Sequence, residues 1–395
     1  AQLSTKHYIP PVTSDGLDIA DQYIYISTPR NEDISFTIKT IGNPNNDYSG
    51  VVSNANPFLY RIVEDGEDPA DPSANLDTDS DTQLSIPENL SNTLITDRGY
   101  IIEASDVIYV SVRFRSSYTQ QYQAGALVSK GLSALGTIFR AGGFATENNS
   151  SVGGFLTYLS VMATENNTNV SFSDLTPGIN IINHTGDTQI NVSLNEGESY
   201  MLAVAVDYGG SPNDLIGTLV NSDKPIVMNS GSGTGSFAGG NGRDFGIDQI
   251  VDVDKVGNEY IFVRGNGGGD GSNSTPNDGD QWENVLIIAN QDNTEVFVNG
   301  NSTSEATLNA GQWVVIEGDG INNNGNGYNS NGNMYVNTSN PVFAYQGIGG
   351  EPNSQPNQGM FFVPPLSCEN RGDVDNIADI DKIGDATFSG GVSIV

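Results

Sequence analysis

Short apolar runs separated by Gly, Asn and Asp turns recur along most of this chain. Between residues 260 and 347 the runs are YIFVRG, ENVLIIAN, TEVFVNG, EATLN, QWVVIEG, GNMYVN and PVFAYQG. Several of them alternate apolar and polar positions, which is the period of a half-buried strand. About seven strands in roughly a hundred residues are typical of an antiparallel sandwich of two packed sheets. Helix signals are weak and confined to AGALVSKGLSALG (124–136), where Gly131 interrupts the pattern.

Three sequence blocks recur in the same order along the chain. The first is VMATENNTNVSF (161–172), LIIANQDNTEVFV (286–298) and, more faintly, IYISTPRNEDISF (24–36). The second is VNSDKPIVMNSG (220–231), VNTSNPVFAYQG (336–347) and IEASDVIYVSV (102–112). The third is DVDKVGNEYIF (252–262), DIDKIGDATF (379–388) and, loosely, GLSALGTIF (131–139). Blocks that keep one order indicate a repeated unit.

The repeat spacing of roughly 115–135 residues is too long for a solenoid and suits a whole small domain. The predicted fold class is therefore all-β, with three tandem repeated antiparallel β-sandwich-like modules. We place the modules at 1–143, 144–264 and 265–386, and residues 387–395 are predicted to start a further strand or module.

Turn residues recur with the blocks. The turns ENNT (165–168) and QDNT (291–294) lie between strands, and Asn tolerates the positive φ that a tight hairpin requires. Pro225 and Pro341 hold equivalent places, and Val107 stands there in the first copy. Because Pro has a fixed φ and no N–H, we expect it at a strand start or a sheet edge.

Composition narrows the classes of partner. The chain has 48 Asp+Glu against 15 Lys+Arg and a formal net charge of −33, which argues against a nucleic-acid partner and against anionic membranes. The single Cys368 excludes an internal disulfide. Apolar runs are too short to span a bilayer. The start AQLSTKHYIPP without Met fits signal-peptide cleavage, and the end inside an apparent strand leads us to expect further domains.

The repeats differ mainly by polar, Gly-rich insertions, which we expect in surface loops where function concentrates. Two of these loops are candidate calcium sites because they carry closely spaced carboxylates. The candidate ligands are Asp77, Asp79 and Asp81 in the first loop and Asp270, Asp278 and Asp280 in the second. The first loop lacks the Gly and Glu of an EF-hand. Asp252 and Asp254 recur as Asp379 and Asp381, which indicates a repeated turn rather than an ion site.

Catalytic patterns are scarce. The only histidines are His7 and His184, and no serine lies in a nucleophile elbow, so a triad enzyme is not expected. A glycosidase-type carboxylate pair stays open because acidic residues are abundant and only geometry reveals such a pair. Gly-rich loops lack the lysine of a phosphate-binding loop. We expect no catalytic residues and no enzyme.

Aromatic side chains in polar loops can stack on sugar rings. Tyr118, Tyr122 and Tyr328 are the candidate ligand-binding tyrosines, and Tyr208 lies in a similar loop. Asn-x-Ser/Thr triplets, which also mark glycosylation sites, are attributed to composition. They begin at Asn166, Asn169, Asn183, Asn191, Asn301 and Asn337.

Several long segments resemble a known type of protein. These are AQLSTKHYIPP, DQYIYISTP, GYIIEASDVIYVSV, AGALVSKGLSALGT, VMATENNT, GRDFGIDQIVDVDKVGNEYIFV and QGMFFVPPLSCENRGDVDNI. The chain resembles the N-terminal region of large Bacteroidota cell-surface adhesins with gliding-motility-associated C-terminal domains, related to the IgGFc-binding-protein N-terminal domain. The resemblance implies an outer-surface protein exported by type 9 secretion, with its signal peptide removed, that acts in adhesion and gliding. It transfers no site residue.

The leading hypothesis is a non-catalytic extracellular adhesin module that presents polar loops for attachment or gliding. One alternative is a carbohydrate-active enzyme or its sugar-binding accessory module. Another is the subunit of a self-assembling surface filament. The expected partners are further domains of the same polypeptide and surface glycans or other adhesins, without nucleic acid or membrane insertion. Calcium is the one cofactor considered.

Overall fold

The computed structural model of the chain describes residues 3–15, 19, 21–62, 83–116, 123–147, 153–184, 189–237, 243–264, 283–318, 326–348, 359–366, 377–384 and 386–387. Strands dominate these residues, and the helices among them are six short 3₁₀ turns. The 3₁₀ turns are η1 Pro44–Asn46, η2 Glu88–Leu90, η3 Gly131–Ala134, η4 Val206–Tyr208, η5 Pro212–Leu215 and η6 Val253–Lys255. No described helix is long and apolar enough to cross a membrane.

The strands, numbered in chain order, form three large antiparallel sheets. The first sheet contains β1 (Ser4–Ile9), β2 (Asp21–Ser27), β3 (Ile34–Thr40), β4 (Tyr48–Val52), β5 (Phe58–Arg61), β7 (Tyr100–Arg115) and β8 (Ala124–Val128). The second contains β6 (Leu94–Ile95), β9 (Gly136–Arg140), β10 (Leu156–Ala163), β11 (Thr168–Ser173), β12 (Ile190–Leu194), β13 (Ser199–Ala205), β14 (Leu219–Gly235) and β15 (Asp244–Gln249). The third contains β16 (Gly257–Val263), β17 (Val285–Ala289), β18 (Thr294–Val298), β19 (Ala306–Leu308), β20 (Trp313–Ile316), β21 (Asn333–Ile348) and β22 (Gly359–Phe362). A two-stranded hairpin, β23 (Lys382–Ile383) and β24 (Ala386–Thr387), follows.

The three sheets have the same strand order. It runs β4-β3-β7-β2-β5 in the first sheet, β12-β11-β14-β10-β13 in the second and β19-β18-β21-β17-β20 in the third. In each, two more strands pair with the central strand: β1 and β8, β9 and β15, and β16 and β22. This arrangement confirms the predicted all-β fold of three repeated antiparallel modules. AGALVSKGLSALG is strand β8 followed by the turn η3, not a helix.

Each sheet is organised around one long central strand, β7, β14 or β21. The first part of β7 pairs with β1 and β3, and its last part pairs with β2 and β8. The pairing of the long strands with β1, β9 and β16 contains a register shift at the same place in each module. Regular pairing is found again at Ile108, Ile226 and Val342. Bulges bend and twist a strand, so one strand can serve both layers of a module.

The repeated prolines mark this bulge. Pro225 and Pro341 lie within the long strands, directly before Ile226 and Val342. The expectation of a strand start or a sheet edge is therefore wrong. A bulge tolerates Pro for the same physical reason, because the local ladder does not require its N–H.

The tight turns follow the sequence prediction. Asn167 and Asn293, in the repeated turns ENNT and QDNT, have φ of 55° and 56°. Gly197 and Gly311, in the similar segments LNEG (194–197) and LNAG (308–311), also lie in the left-handed region. Asn and Gly adopt this backbone conformation at low cost, so the same turns form in both copies.

Strand pairing crosses the module boundaries that the repeats suggest. The boundaries at 143/144 and 264/265 stay predictions, but the sheets change earlier, between β8 and β9 and between β15 and β16. β9 and β16 each pair with the long strand of the following sheet. In the opposite direction, β6 leaves the first module to extend the second sheet beside β13.

The sheets share hydrophobic cores. One cluster joins the first and second sheets and includes Phe114, Tyr158 and Phe245, with the rings of Phe114 and Phe245 in edge-to-face contact at 4.9 Å. A second cluster joins the second and third sheets and includes Leu159, Phe343 and Tyr345. Such continuous cores hold the modules against one another, in contrast to flexibly linked beads.

The final strands of the three modules contact one another. β15 contacts both β8 and β22, and β22 also contacts β8. The carboxylate of Asp248 on β15 accepts hydrogen bonds from Val128 N at 3.3 Å and Phe362 N at 3.0 Å. It also forms a buried ion pair with Lys130 at 2.7 Å. With a further hydrogen bond from Gln249 N at 2.8 Å, this one side chain binds groups from all three modules.

The Asp248 contact predicts a large loss of stability in Asp248→Ala. The change leaves the buried Lys130 ammonium without its partner, so we expect the free energy of unfolding to fall by about 3–5 kcal/mol. Urea denaturation followed by circular dichroism measures this value. The control Asp97→Ala breaks the exposed pair with Arg98 and should cost less than about 1 kcal/mol. Equal effects of the two changes would contradict the assigned role of Asp248.

Candidate functional site

An open polar depression lies on the outer face of the second sheet, across β11, β12 and the first part of β14. Eight of its ten lining residues carry an amide, a hydroxyl or a carboxylate. The lining residues, here called the polar face, are Asn169, Val170, Ser171, Gln189, Asn191, Val192, Ser193, Asn221, Ser222 and Asp223.

Two identical Asn-Val-Ser triplets form the centre of the polar face. β11 and β12 pair antiparallel, so Asn169 lies opposite Ser193 and Ser171 lies opposite Asn191. Ser171 also pairs with Asn221 of β14 on its other side. Because side chains alternate along a strand, the polar positions face outward while Val170 points into the core. The result is a rigid row of amides and hydroxyls across three strands.

Hydrogen bonds hold the edges of the polar face. The backbone N–H and side-chain amide of Asn169 donate to the two oxygens of Asp223 at 2.8 and 2.7 Å. These bonds, the side-chain bond first, lower the pKa of the Asp223 carboxyl. Gln189 donates to Asn191 Oδ1 at 3.0 Å. The only carboxylate of the lining is thus ionised and already engaged by a neighbouring amide.

The corresponding surface of the first sheet has a different character. Its row contains Thr37 and Ser49, whose hydroxyls lie 3.1 Å apart. Beside them Glu103 forms exposed ion pairs with Lys39 at 2.6 Å and Lys6 at 3.1 Å. These pairs lower the pKa of Glu103, with the hydrogen bond from Lys39 as the largest cause. Charges therefore replace the neutral amides at this surface.

The third sheet also departs from the amide-rich pattern. Phe297 of β18 pairs with Asn337 of β21 in the row that Ser171 and Asn221 occupy in the second sheet. An aromatic ring thus takes the place of a hydroxyl. The uncharged Asn/Ser surface belongs to the second module although the backbone is repeated three times.

A second feature is an acidic cluster where the first and second modules meet. Asp15 is buried and its backbone bonds Thr234 of β14, while its Oδ2 receives no hydrogen bond from the described residues. Burial, followed by the charges of Asp207 and Glu88, raises the pKa of the Asp15 carboxyl to about 6. Tyr208 donates to Glu88 at 2.8 Å, and this bond raises the pKa of the Tyr208 phenol to about 12.

This cluster does not form a metal site. No group of three or more acidic, His or Cys side chains among the described residues is arranged to hold a metal ion. Charge repulsion at a module junction fits a pH-sensitive packing contact better than a ligand shell.

Most candidate residues from the sequence lie outside the described part of the chain. This applies to all six proposed calcium ligands, Asp77, Asp79, Asp81, Asp270, Asp278 and Asp280, and to Tyr118 and Tyr122. Their roles stay predictions.

Tyr328 is the one candidate ligand-binding tyrosine of the three that lies among the described residues, and its binding role stays a prediction. Tyr328 is half-buried against the third core, and its hydroxyl accepts a hydrogen bond from Gln346 at 3.0 Å. Asp252 accepts from Asp254 N at 2.8 Å and from Ile138 N at 2.9 Å, as a turn residue does. The buried His7 bonds Ser129 at 2.9 Å, and burial lowers its pKa to about 4.

The polar face was not found by sequence reasoning. Its signal was present as the Asn-Val-Ser triplets at Asn169 and Asn191, which were attributed to composition. The informative fact was that both triplets fall in alternating segments joined by one connection, which places them opposite each other when the segments pair. Triplets alone do not show the pairing register.

The raised pKa of Asp15 predicts a pH-dependent stability. The folded state binds the proton of the Asp15 carboxyl more tightly than the unfolded state does. The resulting contribution to the free energy of unfolding is fully present below about pH 4 and is lost as pH rises through about 6. Asp15→Asn should therefore raise the free energy of unfolding at pH 7.5 by about 1 kcal/mol and have little effect at pH 4. Urea midpoints at both pH values measure the difference.

Asp223→Asn is the control of opposite sign. It should lower the free energy of unfolding at pH 7.5, since the folded state favours the carboxylate form of Asp223. A pH-independent effect of Asp15→Asn would contradict the assignment.

Comparisons with known proteins agree with this architecture. No curated protein and no solved structure matches the chain. The family model of the IgGFc binding protein matches residues 124–385, well over half of the chain, from the start of β8 to beyond the end of β23. This match confirms the IgGFc-binding part of the resemblance: the chain belongs to the IgGFc binding protein family.

Proposed function

We propose that this chain is a non-catalytic extracellular adhesin module whose polar face binds a neutral, hydroxyl-rich ligand such as a surface glycan. The observation that carries the proposal is the pairing of the two Asn-Val-Ser triplets into one exposed row on a rigid sheet. Membership in the IgGFc binding protein family supports a binding role.

The chemistry of the polar face suits such a ligand. Amide and hydroxyl groups both donate and accept hydrogen bonds, as sugar hydroxyls do. Because Asp223 is engaged by Asn169, the lining offers little charge to an ionic ligand. The depression is open and shallow, so each contact is weak. Attachment would depend on many copies acting together on one cell surface.

The polar face is a poor site for hydrolysis. Glycoside hydrolysis requires two carboxyl groups with different proton affinities on either side of the scissile bond. Asp223 is the one carboxylate of the lining, and no aromatic ring is among the ten lining residues. The acidic cluster has an acid of raised pKa, but Asp15 is buried and Glu88 is bonded to Tyr208. Both arrangements favour binding over catalysis.

The finer parts of the role come from the sequence resemblance. It supports a place on the outer surface of a Bacteroidota cell, export by type 9 secretion and a contribution to attachment or gliding. Calcium in the Asp-rich loops would rigidify the surroundings of the sheets. The name of the family refers to binding of IgG Fc, so Fc is a necessary probe beside glycans.

The test is binding of the intact chain to immobilised polysaccharides, glycan arrays and IgG Fc, with calcium and with a chelator. The triple variant Asn169→Ala, Asn191→Ala and Asn221→Ala removes the three amides of the row. We expect at least a tenfold loss of affinity for the bound glycan, because each lost hydrogen bond contributes about 0.5–1.5 kcal/mol.

The matched control changes the same surface of the first sheet. Thr37→Ala with Ser49→Ala removes two paired hydroxyls in the equivalent row and should leave binding unchanged. Equal losses of affinity in both variants would overturn the assignment of the polar face. The same holds if the chain binds only Fc and the triple Asn→Ala variant binds Fc as well as the unchanged chain does. Release of reducing sugar ends from a bound polysaccharide would instead show an enzyme.

A further inference from the structure

The end of the described chain packs against its beginning. Residues 377–384 and 386–387, here called the closing segment, follow the third sheet but lie on the first. The Arg113 guanidinium of β7 donates to the carbonyls of Ala378 at 2.8 Å, Lys382 at 2.8 Å and Asp379. Gly384 N donates to the Tyr25 hydroxyl at 2.8 Å. Backbone groups thus form most of the polar contact.

One apolar side chain completes the contact. Ile383 is buried in a small cluster with Tyr23, Tyr25 and Ala124, and Leu59 packs at its edge. The Arg113 guanidinium lies 3.9 Å from the centre of the Tyr25 ring, so its plane is covered on one side. The first sheet therefore presents a formed acceptor site for a short peptide segment.

This junction is the smallest of the three. The first and second sheets share an extended core, and so do the second and third. In the described part of the chain, the closing segment contributes a single side chain to the apolar cluster on the first sheet. Among the described residues the third and first modules also meet where β22 contacts β8, with the Lys130 ammonium 5.9 Å from the Phe362 ring centre. The apolar contribution of the closing segment to stability is correspondingly small.

The closing segment repeats the sequence of a segment that connects two modules. The segment DVDKVGN (252–258) corresponds in sequence to DIDKIGD (379–385) and passes from the second module to the long strand β21 of the third. The closing segment contacts β7, the long strand of the first module, through β23. The two places differ, because β1 pairs with β7 where β16 pairs with β21, and the closing segment lies further along β7, beside Arg113. The closing segment and the acceptor site are two different surfaces. When both belong to one chain, their contact closes a ring of three modules.

We propose that the closing segment is exchangeable, and that the acceptor site on the first sheet binds the closing segment of a second copy of this chain. Ten residues lie between Leu366 and Ile377, and the eleven Cα–Cα steps that join the two can span at most about 40 Å. Within one molecule the high effective concentration favours the closed ring. At high local density, exchange gives reciprocal dimers or open chains of copies without any new type of contact.

Complementation between two defective variants tests this proposal on the full chain. Arg113→Met removes the acceptor's hydrogen bonds but keeps an intact segment. Ile383→Asp disables the segment but keeps an intact acceptor. Neither variant can close on itself, whereas a mixture has one intact pair. At about 100 μM each, we expect the mixture to sediment towards twice 41.8 kDa while each variant alone stays at that mass.

Controls separate the contact from general surface effects. Ile380→Asp changes a 56% exposed side chain of the same segment, and Arg98→Met removes a half-buried arginine of the same module that lies outside the contact. A mixture of these two should remain monomeric. Tyr25→Phe, which deletes only the acceptor for Gly384 N–H, is a milder replacement for Arg113→Met if that variant does not fold.

Two results would overturn the proposal. One is a mixture of folded Arg113→Met and Ile383→Asp that stays monomeric at this concentration. The other is an unchanged hydrogen-exchange rate at the Gly384 amide in Arg113→Met, since that would show that Arg113 does not hold the segment. Both readouts are independent of ligand binding, so they leave the proposed function of the polar face untouched.

Discussion

One buried carboxylate joins the three sheets where β8, β15 and β22 meet. Asp248 accepts a backbone hydrogen bond from the first and third modules and pairs with Lys130. A buried charge is costly unless it is fully paired, so this position tolerates one arrangement of β8, β15 and β22. Such a contact specifies geometry more than it adds stability. The large apolar cores on either side supply the stability.

A rigid centre has consequences for the surface. Since neighbouring modules share cores, each sheet keeps only its outer face and its loops for interaction with other molecules. The repeated backbone then presents three chemically different rows: ion pairs around Glu103, the amides of the polar face, and the ring of Phe297. In such a protein the residues at equivalent positions of the repeats determine the binding specificity, while the fold is the same in each repeat.

The junctions between modules are unequal in the same way. Two are extended apolar cores between consecutive sheets, and the third is a short segment held by Arg113 and Ile383. Extended cores separate only with global unfolding, whereas a contact of a few residues can open locally. The closing segment is therefore the part of the architecture where an exchange between copies requires least disruption.

Local sequence determined the secondary structure and the repeat. Alternating runs, positive-φ Asn and Gly turns and the recurring blocks were enough to predict an all-β fold of three antiparallel modules, and the shared strand order confirms it. These features are local because they depend on side-chain period and backbone sterics. The long family resemblance carried the IgGFc binding assignment, which the family model supports over residues 124–385.

Tertiary structure decided how the repeats combine and where the polar chemistry converges. Pro225 looked like a strand start and lies at a bulge, and the Asn-Val-Ser triplets looked compositional until their register placed them face to face. Asp248 and Arg113 gave no sequence signal, because their partners are more than a hundred residues away along the chain. Such contacts depend on the packing of whole sheets, which a residue pattern along one strand does not encode.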